Sequence, residues 1–239
     1  PIIFYISPQV WAWKESRYIK IKKYIDKLIV LFPFEVAWYK KKNISVEYFG
    51  HPLFDLYKNS LTKSLEIAPP LTLGLFPGSR KQEINKHVPL FVEVMKNLCL
   101  VFPNINFIVC KSPELKNSNL EKFVGLKNTK ISTNSWDVFN QSTLALVTSG
   151  TATLECAISE TPFVTVYKTS LFSWVVARFF LSVRFISIVN ILANKQIVDE
   201  FLQHNATSKN ISNALVDLIN RPDKIKKDLF LIKKKLNYL

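Results

Sequence analysis

Short apolar segments rich in β-branched and aromatic residues alternate along this chain with longer amphipathic segments. This alternation constrains the fold most strongly, because strands separated by helices pair in parallel and are covered by helices on both faces. The predicted strands are residues 2–6, 27–32, 46–49, 71–76, 105–110, 144–148 and 163–167. The predicted helices are residues 14–24, 34–42, 82–101, 115–124, 151–158, 171–181, 195–203, 208–220 and 223–235. The pattern therefore predicts an α/β protein with largely parallel sheets.

A polar stretch over residues 56–70 interrupts the alternation and ends in Pro69-Pro70, which is typical of a linker between domains. Residues 1–56 hold too few elements for a complete doubly wound sheet, and Pro1 runs straight into an apolar strand. We therefore expect residues 1–56 to be the latter part of a Rossmann-like domain that is incomplete in this chain. We expect residues 57–207 to form a second such domain, and the helices of residues 208–239 to pack back toward the first.

The charge balance points to an anionic partner. The chain has 32 Lys and Arg residues against 18 Asp and Glu residues, a formal net charge of +14. This excess favours nucleic acid, nucleotide phosphates or an acidic membrane surface, without choosing among them. The three cysteines lack metal-ligand spacing, and no uncharged apolar run reaches the ~20 residues that span a bilayer. We therefore expect no metal site and no spanning helix.

The segment Pro77-Gly78-Ser79-Arg80 lies between a predicted strand and a long predicted helix. A small turn there exposes backbone N–H groups at a helix N-terminus, where the helix dipole favours a phosphate, and Arg80 adds a charged donor fork. The spacing of Ser79 and Gln82 is equally that of a capping box, which would be structural. The segment predicts either an anion site or a helix cap.

A second small turn, Ser149-Gly150-Thr151, follows the predicted strand 144–148. Ligands of open parallel sheets bind at the carboxyl ends of the strands, where both turns lie. Glu155, about one helical turn after Thr151, can accept hydrogen bonds from the hydroxyls of a ribose, or it can complement the helix dipole. Two such turns in one sheet indicate a nucleotide site more strongly than either turn alone.

The segment Ser7-Pro8-Gln9-Val10-Trp11-Ala12-Trp13 follows the first predicted strand. Its two indole rings can stack on a sugar or line an acyl groove, and they suit a packed core equally well. His51 follows the third predicted strand and a glycine, which makes it a candidate acid–base group or phosphate donor. A single histidine is also compatible with a structural role.

Taken in order, these segments resemble lipid-A-disaccharide synthase over nearly the whole chain. The matching segments are residues 7–13 with Arg17, 32–35, 49–55, 77–80 with Glu83, 149–156, 187–193 around Asn190, and 200–203. The resemblance implies an inverting glycosyltransferase of the GT-B type, with two Rossmann-like parallel-sheet domains. Such enzymes transfer 2,3-diacylglucosamine from its UDP carrier to 2,3-diacylglucosamine 1-phosphate. They form the β-1,6 disaccharide of lipid A, in lipopolysaccharide synthesis of Gram-negative bacteria, and release UDP.

The resemblance also implies roles for individual residues. The implied nucleotide contacts are Gly78, Ser79, Arg80, Ser149, Gly150, Thr151, Glu155 and Asn190. The implied residues of the acceptor side or interdomain cleft are Ser7, Gln9, Trp11 and His51. Arg80 would stabilise the departing UDP, no cofactor or metal is expected, and the general base would lie upstream of Pro1. Asn194-Lys195-Gln196 departs from the Gly-Arg-Glu of many members, which leaves a donor contact there without support.

The implied partners are the two lipid-linked sugars and the lipid surface of the bacterial inner membrane, not nucleic acid, with room for a homodimer. The protein would then be peripheral on the cytoplasmic face. The apolar stretch over residues 171–184 suits a membrane interface and a packed core equally, and the lysines of residues 224–235 would attract anionic lipid.

Two alternative functions remain open. One is another UDP-sugar enzyme of the same fold, of the peptidoglycan N-acetylglucosaminyltransferase or UDP-N-acetylglucosamine epimerase type. The other is a non-catalytic basic protein that binds nucleic acid.

Overall fold

A computed structural model describes residues 1–57, 70–170 and 184–237. Its first part contains a parallel sheet of three strands in the order β1-β2-β3. The strands are β1 (Ile3–Tyr5), β2 (Lys27–Val30) and β3 (Val46–Tyr48). The helices of this part are α1 (Tyr18–Tyr24), which a short 3-10 helix (Glu15–Arg17) precedes, α2 (Pro33–Lys40) and α3 (Leu53–Tyr57).

The second sheet has six parallel strands in the order β6-β5-β4-β7-β8-β9. The strands are β4 (Thr72–Phe76), β5 (Asn106–Cys110), β6 (Thr129–Ser132), β7 (Leu144–Thr148), β8 (Phe163–Tyr167) and β9 (Glu200–Leu202). The chain builds outward from β4 in one direction and then from β7 in the other. The boundary between β4 and β7 is therefore a topological switch point, and ligands of open α/β sheets bind beside the carboxyl ends of such strands.

Helices cover the six-stranded sheet and bury its central strands. They are α4 (Lys81–Val101), α5 (Ser135–Gln141), α6 (Thr151–Ile158), α7 (Ile188–Ala193), α8 (Ser208–Asn220) and α9 (Asp223–Leu236), together with a 3-10 helix (Asn117–Phe123). Every residue of β4 and β7 is buried, as expected for parallel strands covered on both faces. Gly74 of β4 permits this packing, because a Cβ there would lie 2.6 Å from the Ser142 hydroxyl oxygen.

The C-terminal helix α9 ends against the three-stranded sheet. The backbone N–H of His51 donates to the carbonyl oxygen of Leu236 at 3.1 Å, and the Tyr48 hydroxyl donates to the same oxygen at 3.0 Å. α9 also packs on α6 of the other sheet. Helix α9 thus contacts both parts of the structure. The domain boundaries expected from the sequence stay a prediction, since residues 58–69 lie outside the described part.

The parallel α/β architecture is confirmed, and all seven predicted strands are present. The predicted helix 195–203 is wrong, because it contains β9 and the helix of this region is α7, which starts earlier at Ile188. Asn194 adopts a left-handed conformation at φ 53° and ends α7 there. The edge strands β6 and β9 and the short helices α3 and α5 were not predicted, since each has few apolar residues in regular spacing. The predicted helix 171–181 lies outside the described residues.

Candidate functional site

Two adjoining clefts open where β4 and β7 end. The first cleft, about 660 Å³, lies between the two sheets, and the second cleft, about 630 Å³, lies over the carboxyl ends of β4, β5, β6 and β7. Residues common to both clefts are Arg80, Glu83, Ser149, Gly150 and Thr151. The two small turns predicted from the sequence therefore meet at the junction of the two clefts.

The turn after β4 depends on a glycine. Gly78 has φ +109°, which strains any residue with a side chain, and a Cβ at this position would lie 2.8 Å from Oε2 and 3.2 Å from Cβ of Glu83, so Glu83 would have to shift. The capping box expected of Ser79 and Gln82 does not form. Arg80 is the N-cap of α4, and its backbone N–H donates to Oε2 of Glu83 at 3.4 Å. Ser79 instead lines the second cleft.

Arg80 presents its guanidinium at the junction of the clefts. Its side chain is 81% exposed, and Nη1 lies 3.2 Å from Oε1 of Glu83. An exposed ion pair of this kind contributes ~0–1 kcal/mol to stability, so exchanging Glu83 for an anionic ligand costs the fold little. The geometry leaves Arg80 available for a phosphate at the mouth of both clefts.

The turn after β7 is fixed by its own side chains. The Ser149 hydroxyl donates to the carbonyl oxygen of Ile186 at 3.2 Å, and the Thr153 hydroxyl donates to that of Gly150 at 2.7 Å. α6 begins at Thr151, so its N-terminal N–H groups face the junction, where the helix dipole favours an anion. Glu155, half-buried on α6, lines the second cleft. The ribose contact expected of Glu155 stays a prediction.

Three of the four residues expected on the acceptor side line the first cleft: Gln9, Trp11 and His51. Trp11 donates its indole Nε1–H to Oε1 of Glu35 at 3.0 Å. The other oxygen of Glu35 accepts the backbone N–H groups of Leu31 and Phe32, both at 2.9 Å, and thereby caps α2. Burial raises the pKa of the Glu35 carboxyl, while these hydrogen bonds oppose the rise.

His51 is a neutral group at the edge of the first cleft. Its Nδ1 accepts the backbone N–H of Leu53 at 3.2 Å, which places the ring proton on Nε2. Burial lowers its pKa to about 4, so the imidazole is uncharged at neutral pH. His51 can therefore donate a hydrogen bond to a ligand, but it does not supply a positive charge for a phosphate.

Ser7 and Asn190 line neither cleft, in contrast to the expectation from the resemblance. The Ser7 hydroxyl is buried against the hydroxyl of Tyr39 at 2.6 Å. The Asn190 amide is wholly buried: Nδ2 donates to the carbonyl oxygen of Val198 and to Glu200, and Oδ1 accepts the N–H groups of Ile197 and Val198. The hydrogen bonds of both side chains hold protein segments in place, and a ligand contact of either residue stays a prediction.

Sequence reasoning missed the outer part of the second cleft and one buried histidine. The additional polar lining residues of the second cleft are Lys111, Ser112, Thr133, Asn134 and Ser135. They follow β5 and β6, and the polar edge strand β6 gave no apolar signal by which to find them. His87 of α4 is wholly buried between the strand ends, and its only sequence signal was a histidine on the apolar face of an amphipathic helix.

Two further observations concern cofactors and membranes. Within residues 1–57, 70–170 and 184–237, no three His, Cys, Asp or Glu side chains come together as metal ligands would. Across these same ranges, every helix is too short or too polar to span a lipid bilayer.

Two parallel sheets with clefts at their strand ends define a protein of the GT-B type. Solved structures of this type resemble the chain over most of its length. MurG of Acinetobacter baumannii covers 92% of this chain and 59% of its own, with a TM-score of 0.55 at 11% identity. A UDP-GlcNAc 2-epimerase from Neisseria meningitidis, solved with UDP-GlcNAc bound, matches 97% of this chain and 62% of its own length, with a TM-score of 0.56 at 12% identity. At these identities the likeness shows the fold.

The sequence comparisons identify the family. The family model for lipid-A-disaccharide synthetase matches residues 1–237. Lipid-A-disaccharide synthase 1 of Legionella pneumophila (strain Lens) is 35% identical over 232 residues, which cover 93% of this chain and 60% of the relative. The lipid-A-disaccharide synthase of Coxiella burnetii (strain Dugway 5J108-111) is 33% identical over 225 residues, 92% of this chain and 60% of the relative. The chain therefore belongs to the lipid-A-disaccharide synthase family, and it spans about 60% of the length of these relatives.

Proposed function

We propose that this chain carries the UDP-sugar site of an inverting glycosyltransferase. The enzyme transfers 2,3-diacylglucosamine from UDP to 2,3-diacylglucosamine 1-phosphate, forms the β-1,6 disaccharide of lipid A and releases UDP. One observation carries the proposal: the two small turns, the first of which includes Arg80, lie where a cleft of mixed polar and apolar lining joins a largely apolar cleft. A sugar nucleotide with acyl chains needs such a pair of adjoining environments. Family membership supports the same reaction and disfavours the other UDP-sugar enzymes and the nucleic-acid-binding alternative.

The nucleotide occupies the second cleft in this proposal. The pyrophosphate lies at the junction, against the N–H groups of the turn at Gly78 and of the first turn of α6. Glu155 accepts hydrogen bonds from the ribose hydroxyls. The uracil then extends toward the ends of β5 and β6, between Lys111 and Asn134.

The chemical step is served by groups that act on the leaving UDP. As the bond from the sugar C1 to the pyrophosphate oxygen breaks, negative charge grows on the pyrophosphate. Oriented N–H groups and the Arg80 guanidinium therefore bind the transition state more tightly than the ground state. The acceptor 6-hydroxyl attacks from the opposite face and loses its proton to a general base. Glu83 is the carboxylate among the described residues of the first cleft, and it lies on the nucleotide side. Family membership leads us to propose that the base belongs to the part of the relatives' length that this chain does not span.

The first cleft suits the acyl chains of the substrates. Its described lining is mostly apolar, contributed by both sheets and by the residues before α7. The apolar lining residues are Ile6, Trp11, Leu31, Phe32, Leu53, Leu56, Leu154, Phe185, Ile186, Ile188 and Ile191. Gln9 and His51 provide polar groups within it for the acceptor sugar. The apolar stretch 171–183, assigned to a membrane interface or a core on sequence alone, lies outside the described residues.

We further propose that the protein is peripheral on the cytoplasmic face of the inner membrane and that α9 contacts the lipid. On its outward face, Phe230 and Leu231 are 42% and 47% exposed. Exposed lysines surround this apolar pair: Lys226, Lys227, Lys234 and Lys235. Apolar side chains surrounded by lysines suit the interface of an anionic bilayer. Electrostatic attraction to the lipid contributes ~1 kcal/mol of binding free energy for each basic residue near the surface.

The proposal is tested by binding and by turnover. Isothermal titration calorimetry should show that UDP binds more tightly than ADP. Arg80→Ala should lower the affinity for UDP by about tenfold or more, because the variant loses a charge-assisted hydrogen bond to the phosphates. Arg221→Ala is the matched control, because that arginine is also exposed and lies at the end of α8. Absence of UDP binding to the wild-type chain at millimolar nucleotide would overturn the site assignment.

A turnover assay addresses the general base. The chain as given should bind UDP-2,3-diacylglucosamine yet form no disaccharide from it and the acceptor. Robust synthesis by this chain alone would place the base among its own residues.

Hydrolysis of a co-purified sugar nucleotide, followed by mass spectrometry, should reveal two acyl chains on the glucosamine. An unacylated sugar would instead favour an enzyme of the epimerase or peptidoglycan type.

A further inference from the structure

His87 connects three of the segments that follow the strands at the clefts. It is wholly buried on α4. Its Nδ1 lies 3.2 Å from the carbonyl oxygen of Pro77 and 3.3 Å from Oγ1 of Thr148, and its Nε2 accepts the backbone N–H of Lys168 at 2.9 Å. These partners directly follow or end β4, β7 and β8. One imidazole therefore contacts the carboxyl ends of three neighbouring strands.

The hydrogen bonds fix the protonation of the ring. A backbone N–H can only donate, so Nε2 is unprotonated and the ring proton lies on Nδ1, where the Pro77 carbonyl oxygen and the Thr148 hydroxyl oxygen both lie within reach to accept it. Burial lowers the pKa of His87 to about 4, which keeps this neutral form in place around neutral pH. The imidazole thus acts as a donor toward the turns after β4 and β7 and as an acceptor toward the segment that leaves β8.

The packing of α4 does not by itself require a histidine at this position. The neighbouring buried residues of the same helix are apolar: Ile84, Val88, Leu90 and Phe91. A polar ring in such surroundings is unfavourable unless its nitrogens are paired. The pairing partners are the loops, and Pro77 and Thr148 directly precede Gly78 and Ser149 of the two ligand turns.

We propose that His87 is a positioning residue that holds the two ligand turns at their mutual spacing, although it lines neither cleft. The turn after β4 is anchored through Pro77, the turn after β7 through Thr148, and the segment that leaves β8 through Lys168. This inference deepens the proposed nucleotide function and rests on it for the effect on UDP. Its structural content, the order of the turns, is testable without any ligand.

The test compares three substitutions with a remote control. The amide of His87→Asn reaches the position of Nδ1 and can donate to Pro77, whereas that of His87→Gln reaches the position of Nε2 and can accept from Lys168. His87→Ala removes both interactions. Leu98→Ala is the control, since Leu98 is equally buried on α4 but lies near its far end, away from the turns. Leu98→Ala reports how general destabilisation of this helix affects the site.

Two measurements separate the outcomes. Amide hydrogen exchange of the ligand-free protein should be faster at residues 78–80 and 149–151 in His87→Ala than in the wild type or Leu98→Ala. The affinity for UDP, measured well below the unfolding temperature, should fall about tenfold in His87→Ala and His87→Gln and stay within about threefold in His87→Asn and Leu98→Ala.

The inference is overturned if His87→Ala matches Leu98→Ala in both the exchange of the turns and the affinity for UDP. It is also overturned if exchange accelerates evenly over the whole protein in His87→Ala. A wild-type chain that binds no UDP would refute the proposed function, while the exchange experiment would still decide whether His87 orders the turns.

Discussion

Glu35 holds the indole of Trp11 at the surface of the first cleft, through a hydrogen bond of 3.0 Å from Nε1 to Oε1. The same carboxylate accepts two backbone N–H groups at the start of α2. We expect Glu35→Gln to lower the free energy of unfolding by about 1–3 kcal/mol, because its amide nitrogen leaves a buried N–H without an acceptor. A cycle of Glu35→Gln, Trp11→Phe and the double variant in urea should show a coupling of about 0.5 kcal/mol or more. Strictly additive single effects would show that the two side chains do not depend on each other.

Gly78 should resist substitution more strongly than Gly125. Both have positive φ, +109° and +79°, but a Cβ at Gly78 meets Glu83 while one at Gly125 meets no atom within 4 Å. Gly125→Ala should therefore lower the free energy of unfolding by about 1 kcal/mol through backbone strain alone. Gly78→Ala should lower it more and should also reduce the affinity for UDP. Thermal unfolding and UDP titration of the pair check this. Equal losses in both variants would mean that the approach of Glu83 imposes no constraint.

Glu155 should distinguish the sugar of the nucleotide. If its carboxylate binds the ribose hydroxyls, the wild type should prefer UDP over 2′,3′-dideoxy-UDP by about tenfold, and Glu155→Ala should lose most of this preference. Glu93→Ala serves as the control, since Glu93 is an exposed carboxylate on α4 that lines neither cleft. Calorimetric titration with both nucleotides gives the two ratios. An unchanged preference in Glu155→Ala would place the ribose elsewhere.

His51 and His87 should make the fold sensitive to mild acid. The pKa of each is lowered from 6.5 to about 4 by burial, so the native state binds protons less readily than the unfolded chain. Their contribution is fully present above pH 6.5 and is lost as the pH falls toward 4. Between these values the free energy of unfolding should drop by up to about 1.4 kcal/mol per pH unit for each histidine. Urea titrations of His51→Gln and His87→Gln should show a shallower dependence, and an unchanged slope would contradict the assignment.

The outward face of α9 should bind anionic lipid. Lys227→Glu with Lys234→Glu should reduce sedimentation with vesicles of phosphatidylcholine and phosphatidylglycerol, and Phe230→Ser with Leu231→Ser should reduce it further. Lys127→Glu with Lys130→Glu is the matched control, because it changes the net charge equally at two exposed positions, one before and one within the edge strand β6. Equal losses in the two charge-reversed pairs would indicate attraction to the whole protein rather than to α9. Binding to neutral vesicles alone would contradict the charge component.

The alternation of apolar strands with amphipathic helices was sufficient to predict the parallel α/β fold and every strand of its buried centre. β4 and β7 are apolar throughout because they are covered on both faces, so their signal does not depend on which partner covers them. The turns at Gly78 and Gly150 could be found for a similar reason, since phosphate-type turns are defined by a few consecutive residues. The edge strands β6 and β9 lacked this signal, because a strand with one partner and a half-exposed face needs no continuous apolar run.

Local sequence thus indicated candidate nucleotide-binding residues, and the packing of distant segments determined how the side chains are oriented. Ser7 and Asn190 match the family as well as Trp11 does, yet they turn inward, because Tyr39 and Glu200 supply partners from elsewhere in the chain. His87 could not be distinguished from an ordinary core residue until Pro77, Thr148 and Lys168 were brought around it. Hydrogen bonds between residues separated by ten or more positions leave no periodic trace in the sequence, so the orientation of these side chains depended on the assembled sheets.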